Sequence, residues 1–236
     1  MAIYPGAQWH GPVPNQGGAM GRVRLGVVHV ESGTQSGTDA WFHNPNAQVS
    51  AHFGIAKDGT VYQWVDTSRI AWAESAYNDC SISIENEGYS GEQLTFAQAV
   101  ALSKLMVWVY QTHGVPLARN SDPNGVGWIG HGELGVAGGA HPLCPGQPIL
   151  DQLPTVIKAA WEILFPPQPT PNPPSHRTLV PGMSGLDVCW VQQYLKIKVT
   201  GVFDDPTSKA VIAFRVKNKL PAKAIVGPRV WKLMGQ

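Results

Sequence analysis

The sequence predicts an α/β fold in which a mixed central β-sheet is flanked by helices, followed by a second, smaller domain. Short apolar and β-branched segments alternate with helical patterns through residues 1–165, as they do in layered α/β domains. Six prolines within residues 165–177 remove backbone donors and fix φ, which favours a semi-rigid spacer. We therefore predict two domains, residues 1–165 and 178–236, joined by a linker at 166–177.

The composition favours folded domains and argues against two classes of function. Hydrophobic residues make up 43% of the 236 positions and charged residues 14%, which leaves enough apolar material for a core. The formal net charge of +1 lacks the strongly basic balance of nucleic-acid-binding proteins. No apolar run reaches the ~18 residues of a membrane span. We therefore expect no nucleic-acid partner and no membrane insertion.

Cysteine usage and the first residues of the chain bear on where the protein is made. The three cysteines, Cys80, Cys144 and Cys189, cannot form a disulfide framework, because an odd number leaves at least one free thiol. This pattern is typical of a reducing compartment. The first residues show no basic segment followed by an apolar one, so no secretory signal is predicted. We expect a soluble protein that is not exported by a signal of its own.

Several short segments of the first domain have the pattern of strands. Asp58-Gly59 lies between two apolar runs, which is a strong hairpin signal. The run that contains Glu85 alternates polar and apolar side chains, so Glu85 lies on its polar face. The last strand delivers His131 to its end. Strands are predicted at residues 24–30, 49–55, 61–65, 81–87 and 128–130.

Two helices are predicted in the first domain. Thr95 followed by Gln98 forms a capping box, which indicates a helix start at the next residue. Gly114 tolerates the left-handed conformation at a helix end, so this helix is predicted over residues 96–113. A second helix is predicted over about residues 152–164 and packs back on the sheet.

Three side chains form a candidate metal site. His29 ends an apolar run, His131 lies in a glycine-flanked turn, and Cys144 precedes Pro145-Gly146. Three protein ligands with a fourth position open to water are the pattern of catalytic zinc, and mixed imidazole and thiolate ligation favours Zn²⁺ over magnesium or calcium. Each residue alone has a plainer interpretation. A lone histidine is more often a satisfied core or surface residue, and a free cysteine often behaves as a small buried hydrophobe.

A family resemblance is carried by six segments in order. They are Val27-Val28-His29, Val49-Ser50-Ala51-His52-Phe53, Asp58-Gly59-Thr60, Asn78-Asp79-Cys80-Ser81-Ile82-Ser83-Ile84-Glu85, Gly130-His131 and Cys144-Pro145-Gly146. Together, over about residues 22–165, they resemble the zinc-dependent type-2 N-acetylmuramoyl-L-alanine amidases, relatives of the peptidoglycan recognition proteins. The resemblance implies that His29, His131 and Cys144 bind zinc. It also implies hydrolysis of the amide between N-acetylmuramic acid and L-alanine of the peptidoglycan stem peptide.

The same resemblance points to residues that move protons. Some relatives have a tyrosine directly before the histidine that corresponds to His52, but Ala51 stands there in this chain. Ala51 is typical of the branch in which the glutamate matching Glu85 carries the proton chemistry, so Glu85 is the predicted base. Its plainer interpretation is a solvated or paired carboxylate. Relatives often have an oxyanion-stabilising lysine where Pro142 stands. The neighbouring His141 is predicted to replace that lysine, with zinc binding or no role as alternatives.

The second domain carries a resemblance of its own. Residues 179–188, 191–195, 200–204 and 225–231 resemble, in order and spacing, the small three-helix peptidoglycan-binding domain of bacterial and phage wall hydrolases. From the residues alone, Ser184 is predicted to cap one helix and Asp205 or Pro206 to begin another. Apolar residues at helical spacing form the predicted core, namely Val188, Val191, Leu195, Val211 and Phe214.

These features predict a monomeric hydrolase that lyses bacterial cell walls, with Zn²⁺ as cofactor and peptidoglycan as partner. The absence of a predicted secretory signal favours a phage endolysin, made in the host cytoplasm and acting on the wall after the membrane is permeabilised. A bacterial autolysin exported by another route is less favoured. Two alternatives stay open, a non-catalytic peptidoglycan recognition protein and an endopeptidase that cuts within the stem peptide.

Overall fold

A computed structural model describes residues 2–165 and 177–235. The chain divides into two compact units, residues 1–166 and 167–236. Nearly all of the predicted linker at residues 166–177 lies outside the described residues. The first unit is a mixed β-sheet with helices and the second is helical, so the predicted fold class is confirmed.

A six-stranded mixed sheet forms the centre of the first unit. Its strand order is β1-β5-β4-β7-β3-β8, and β2 pairs with β6 in a separate ribbon. The antiparallel pairing of β4 with β5 confirms the hairpin predicted from Asp58-Gly59. The strands are β1 (Gln8–Trp9), β2 (Gln16–Ala19), β3 (Leu25–Val28), β4 (Phe53–Ile55), β5 (Val61–Gln63), β6 (Arg69–Ala71), β7 (Ser81–Asn86) and β8 (Gly127–Gly130).

Strand β3 lies between β7 and β8 and runs parallel to both. Val28 pairs with Ile84 on one side and with Gly130 on the other. The residues that follow these three positions therefore lie at the same end of the sheet. Close packing supports this register, because a Cβ at Gly26 would lie 2.5 Å from the Trp128 ring. The register places His29, Glu85 and His131 next to one another at this end of the sheet.

Three helices accompany the sheet, α1 (Gln35–Phe42), α2 (Phe96–His113) and α3 (Gln147–Leu164). Helix α2 has the predicted bounds and capping box, and Gly114 ends it with a φ of 76°. Helix α3 begins about five residues before its predicted start, because Pro148 fits the first turn, where its missing N–H costs nothing. Helices α2 and α3 pack against each other and share the main hydrophobic core of the first unit. Within the described part of the chain, no helix is both long and apolar enough to cross a membrane.

The second unit contains the helices α4 (Leu186–Tyr194), α5 (Asp205–Lys217) and α6 (Pro228–Leu233). Helix α5 starts at Asp205, as predicted, and Asp204 caps it by accepting the Thr207 N–H. The cap predicted at Ser184 is wrong. Gly185 is the N-cap residue of α4, and Ser184 pairs instead with Val202 in an isolated bridge. The predicted core is confirmed, with Val188, Val191 and Val211 fully buried and with Leu195 and Phe214 packed against them.

His52, directly before β4, is a fully buried histidine that joins separate segments of the first unit. Its Nδ1 accepts the Ser83 N–H at 3.1 Å, and its Nε2 donates to the Arg69 carbonyl at 3.0 Å. Burial lowers the pKa of the ring to about 4. Protonation of Nδ1 would also place its N–H against the Ser83 N–H, so that two donors would face each other. The folded chain therefore requires the neutral form of the His52 ring.

We expect His52 to make folding stability depend on pH. Because its pKa is about 4 in the folded chain and about 6.5 when unfolded, its stabilising effect is complete above pH 6.5 and is lost as the pH falls towards 4. The full loss is about 3 kcal/mol. A His52→Gln variant should be less stable at pH 7, yet lose less free energy of unfolding than the wild type between pH 7 and pH 4. Urea unfolding at both pH values measures this, and equal losses in the two proteins would contradict it.

Candidate metal centre

Two histidines and a cysteine converge at the edge of the sheet where β3 and β8 end. The potential ligand atoms of His29, His131 and Cys144 all lie within 4.8 Å of one another. The two imidazole rings have a centroid distance of 4.3 Å. Cys144 comes from the loop before α3, and its sulfur accepts the Val30 N–H at 3.4 Å. The fold thus brings together the three residues predicted to bind metal.

The hydrogen bonds of the two imidazoles leave their Nδ1 atoms available. His29 Nε2 donates to Glu74 Oε1 at 3.0 Å, and His131 Nε2 donates to the Gly138 carbonyl at 2.8 Å. A carboxylate and a carbonyl can only accept, so Nε2 carries a proton in both rings, and Nδ1 is the nitrogen whose lone pair a metal would use once any proton on it is released. Two such nitrogens and a thiolate, with second partners that fix the ring orientation, are a donor set suited to zinc. The residues present fit a three-ligand zinc site.

The electrostatic surroundings favour positive charge at His29. Burial acts to lower its pKa, but the negative charge of Glu85 and the bonds to Cys144 and Glu74 outweigh burial and hold the pKa well above its usual range. His131 behaves in the opposite way. Burial and the neighbouring positive charge of His29 lower its pKa to about 4. The same negative neighbours would stabilise a divalent cation between the two rings.

Glu74 is a site residue that the sequence reasoning missed. Its side chain is completely buried, and besides His29 it accepts the Ser81 hydroxyl at 2.8 Å. Burial acts to raise its pKa, but the hydrogen bonds and the charge of His29 keep the pKa below its usual range. The only signal in the sequence was one carboxyl group within the otherwise apolar run Ile70-Ala71-Trp72-Ala73-Glu74. Its partner is 45 positions away.

A cavity of about 410 Å³ is lined by the three candidate ligands and in part by Glu85. Glu85 Oε1 lies 3.8 Å from His29 Nδ1, and Oε2 has no hydrogen-bond partner among the described residues. Burial raises the pKa of Glu85, the positive charge of His29 opposes that rise, and the charge of Glu74 adds to it. A carboxyl group on the wall of a cavity whose pKa is raised by burial is suited to accepting and returning a proton.

His141, the second predicted catalytic residue, also lines the cavity. Its ring centroid lies 4.8 Å from that of His131. Pro142 follows it and has no N–H to donate, so of the two side chains only the imidazole can donate a hydrogen bond. The catalytic role of His141 stays a prediction.

Glu31 is a further cavity residue that the sequence reasoning did not single out. It lies two residues after His29, and neither of its carboxyl oxygens has a hydrogen-bond partner in the part of the chain that the structure describes. Burial, followed by the negative charge of Glu85, raises its pKa to about 8, although Thr38 favours the charged form. Its position beside a candidate ligand was the available signal. Glu31 and Glu85 together place two carboxyl groups on the cavity.

We expect Glu74→Gln to weaken metal binding without unfolding the chain. Gln keeps the size of the side chain but removes the charge that orients His29 through its Nε2, and the loss of such a second partner typically costs about 10- to 100-fold in metal affinity. Zinc affinity is measured by competition with a chromogenic chelator, with Cys144→Ser as the reference for the loss of a ligand. Wild-type affinity in Glu74→Gln would contradict the orienting role.

Comparisons with known proteins identify the family of the chain. Residues 19–147 match the family model described as N-acetylmuramoyl-L-alanine amidase, and residues 184–234 match that of a putative peptidoglycan binding domain. N-acetylmuramoyl-L-alanine amidase A of Achromobacter lyticus is 36% identical over 75 residues, which are 31% of this chain and 42% of that protein. The match thus spans less than half of the length of this curated relative.

Solved structures show the same fold at low sequence identity. The Staphylococcus aureus hydrolase AmiA, solved in complex with its ligand, is 14% identical with a TM-score of 0.52, over 69% of this chain and 87% of that one. A mutant structure of PlyL is 16% identical with a TM-score of 0.50, over 66% of this chain and 98% of that one. The amidase model spans more than half of the 236 residues. The chain therefore belongs to the N-acetylmuramoyl-L-alanine amidase family.

Proposed function

We propose that this chain is a zinc-dependent peptidoglycan hydrolase. Its substrate would be the amide that joins the lactyl group of N-acetylmuramic acid to L-alanine of the stem peptide. The observation that carries the proposal is the convergence of His29, His131 and Cys144 beside Glu85 on one cavity. Family membership supports the choice of bond.

The chemistry divides between the metal and the side chains of this chain. Zinc held by the three ligands would supply Lewis acidity, which polarises an amide carbonyl and lowers the pKa of water towards about 7. Glu85 accepts the proton of the attacking water and passes it to the leaving nitrogen, which departs as a neutral amine. Such general acid–base catalysis is worth about 10²–10⁴-fold. Glu74 keeps the His29 ring oriented throughout.

Two further residues have assigned roles in this mechanism. Cys144 serves as a ligand and not as a nucleophile, because metal coordination stabilises its thiolate. His141 donates a ring N–H to the carbonyl oxygen as negative charge develops there, in the role that Pro142 cannot fill. Its place on the cavity next to His131 supports this assignment.

Two other functions for this fold make different demands on the site. A non-catalytic recognition protein has no need of a complete ligand set, and the three converging ligands therefore favour the enzyme. An endopeptidase would use the same metal chemistry on a different amide. Mass spectrometry of the fragments released from purified walls distinguishes the two enzymes, because only the amidase frees peptides that begin with L-alanine.

We also propose that the protein acts as a monomeric phage endolysin, made in the host cytoplasm and acting on the wall once the membrane is permeabilised. The free thiols of Cys80, Cys144 and Cys189 are consistent with a reducing site of synthesis. Bacteria that produce the chain should lyse when the membrane is permeabilised. Lysis without that treatment would contradict the proposed location.

We expect Glu85→Gln to bind zinc and to lose hydrolysis of purified walls by about 10²–10⁴-fold, because the amide cannot accept the proton. Elemental analysis and the release of peptides that begin with L-alanine measure the two properties. Glu162→Gln, an exposed glutamate paired with Lys158 on α3, is the matched control and should keep full activity. Full activity in Glu85→Gln would remove Glu85 from the mechanism, and activity that survives chelation would remove the metal.

The second unit is proposed to hold the enzyme on its insoluble substrate, as its match to a peptidoglycan-binding domain supports. Tethering raises the effective concentration of the catalytic unit on the wall. Removal of residues 178–236 should reduce co-sedimentation with purified walls, while hydrolysis of a soluble muramoyl peptide is retained. If the truncated chain sediments as well as the full chain does, the second unit does not bind the wall.

A further inference from the structure

We infer that the side of α1 that faces the cavity is the subsite for the N-acetylated sugar of the substrate. This side, here called the sugar wall, consists of Thr34, Gly37, Thr38 and Trp41, with the Trp41 indole stacked on the pyranose ring. The inference rests on the proposed amide hydrolysis. It adds which half of the substrate α1 binds and which residue recognises it.

The four residues of the sugar wall occupy one face of a single helix. Thr34 is the N-cap residue of α1, and the others follow at spacings of three, four and seven positions, which share a helix face. All four line the cavity that also opens on His29 and Cys144. A ligand in contact with this face is therefore continuous with the metal centre.

Trp41 is exposed and does not belong to the hydrophobic core. Its side chain is 53% exposed at the cavity, whereas Trp64 and Trp128 are completely buried. The neighbouring Phe42 supplies the core contact of α1, since it is buried and packs edge-on against Trp64 at 4.9 Å. Trp41 thus presents a flat apolar surface beside the reaction site, and such a surface is the usual means of binding a ring with an apolar face.

Gly37 leaves the middle of this wall bare. A glycine within a helix costs about 0.5–1 kcal/mol relative to alanine, so its presence calls for a reason. A Cβ at this position would lie 3.1 Å from Thr34 Oγ1, the oxygen that caps α1 by accepting the Gly37 N–H, so any side chain here would also crowd the cap. A side chain at Gly37 would project along the cavity-facing side between Thr34 and Trp41. The missing side chain provides room for a ligand.

The polar groups of the sugar wall suit a neutral ligand. The sugar wall itself has no charged side chain and offers two hydroxyls, one of which, on Thr38, interacts with the neighbouring Glu31 carboxyl group. Among the described residues that line the cavity, there is no lysine or arginine. An N-acetylated pyranose is neutral and matches hydroxyls and an indole.

The test uses the zinc-loaded full chain and two synthetic substrates with the same peptide, one carrying the complete muramoyl group and the other only its lactyl part. The wild type should prefer the muramoyl peptide, and Trp41→Ala should reduce that preference in kcat/KM by about tenfold, mainly through KM. Gly37→Leu should reduce it as well, because its side chain would occupy the cavity-facing side of α1, and circular dichroism at the assay temperature checks that the variant is folded. Phe96→Ala, an 86% exposed aromatic residue at the start of α2, is the matched control and should keep the preference.

Each outcome bears on a definite claim. A preference that survives in Trp41→Ala, or a wild type that cleaves both substrates equally, overturns the sugar wall while the proposed amidase stands. If neither substrate is cleaved, the amidase proposal fails. The sugar wall is then judged by binding of N-acetylmuramic acid to the full chain, measured by saturation-transfer NMR. Binding that is lost in Trp41→Ala and retained in Phe96→Ala supports the wall, and the absence of binding overturns it.

Discussion

The parallel register of three strands is the constraint on which the candidate site depends. Val28 lies between Ile84 and Gly130, so the next residue of each strand, His29, Glu85 or His131, reaches the same edge of the sheet. A slip of one residue in any pair would turn the side chain to the opposite face. The buried packing of Trp128 over Gly26 opposes such a slip. Two candidate ligands and the candidate base thus owe their proximity to backbone pairing and to core packing.

The concentration of acidic groups around His29 gives the site its electrostatic character. Glu74 and Glu85 approach its two ring nitrogens, and Cys144 adds a potential thiolate. Buried carboxylates are costly unless they are paired, so the apo form draws a proton onto His29. A divalent cation would supply the missing positive charge more fully. The concentrated negative charge that destabilises the metal-free site would thus also strengthen metal binding.

The cavity combines this charged end with a neutral wall on α1, and the combination suits a substrate made of two unlike parts. The reacting amide requires the metal and the proton acceptor, whereas a sugar requires a flat surface and hydroxyl groups. Helix α1 can offer such a surface because Phe42 meets the needs of the core and leaves Trp41 free to face the cavity. The second unit can then anchor the polymer, so that wall binding and amide hydrolysis do not constrain each other.

Local signals in the sequence predicted the elements that local interactions control. Thr95, Gln98 and Gly114 determined both ends of α2, because caps involve residues within about four positions of each other. Asp58-Gly59 determined a hairpin for the same reason. The prediction at Ser184 failed because a bridge to Val202, eighteen positions away, competed with the cap.

The sequence by itself determined the fold class, the β4–β5 hairpin, the bounds of α2 and the family whose residues suggested a metal site, but it did not predict β1, β2, β6 or α1. Only the tertiary structure showed Glu74 beneath His29, Glu31 on the cavity, and Trp41 exposed while Trp64 is buried. These facts depend on which distant segments meet, and that is decided by strand register and core packing. The carboxylate of Glu74 has no local pattern that marks it. Its role exists only because the sheet places His29 within hydrogen-bond distance.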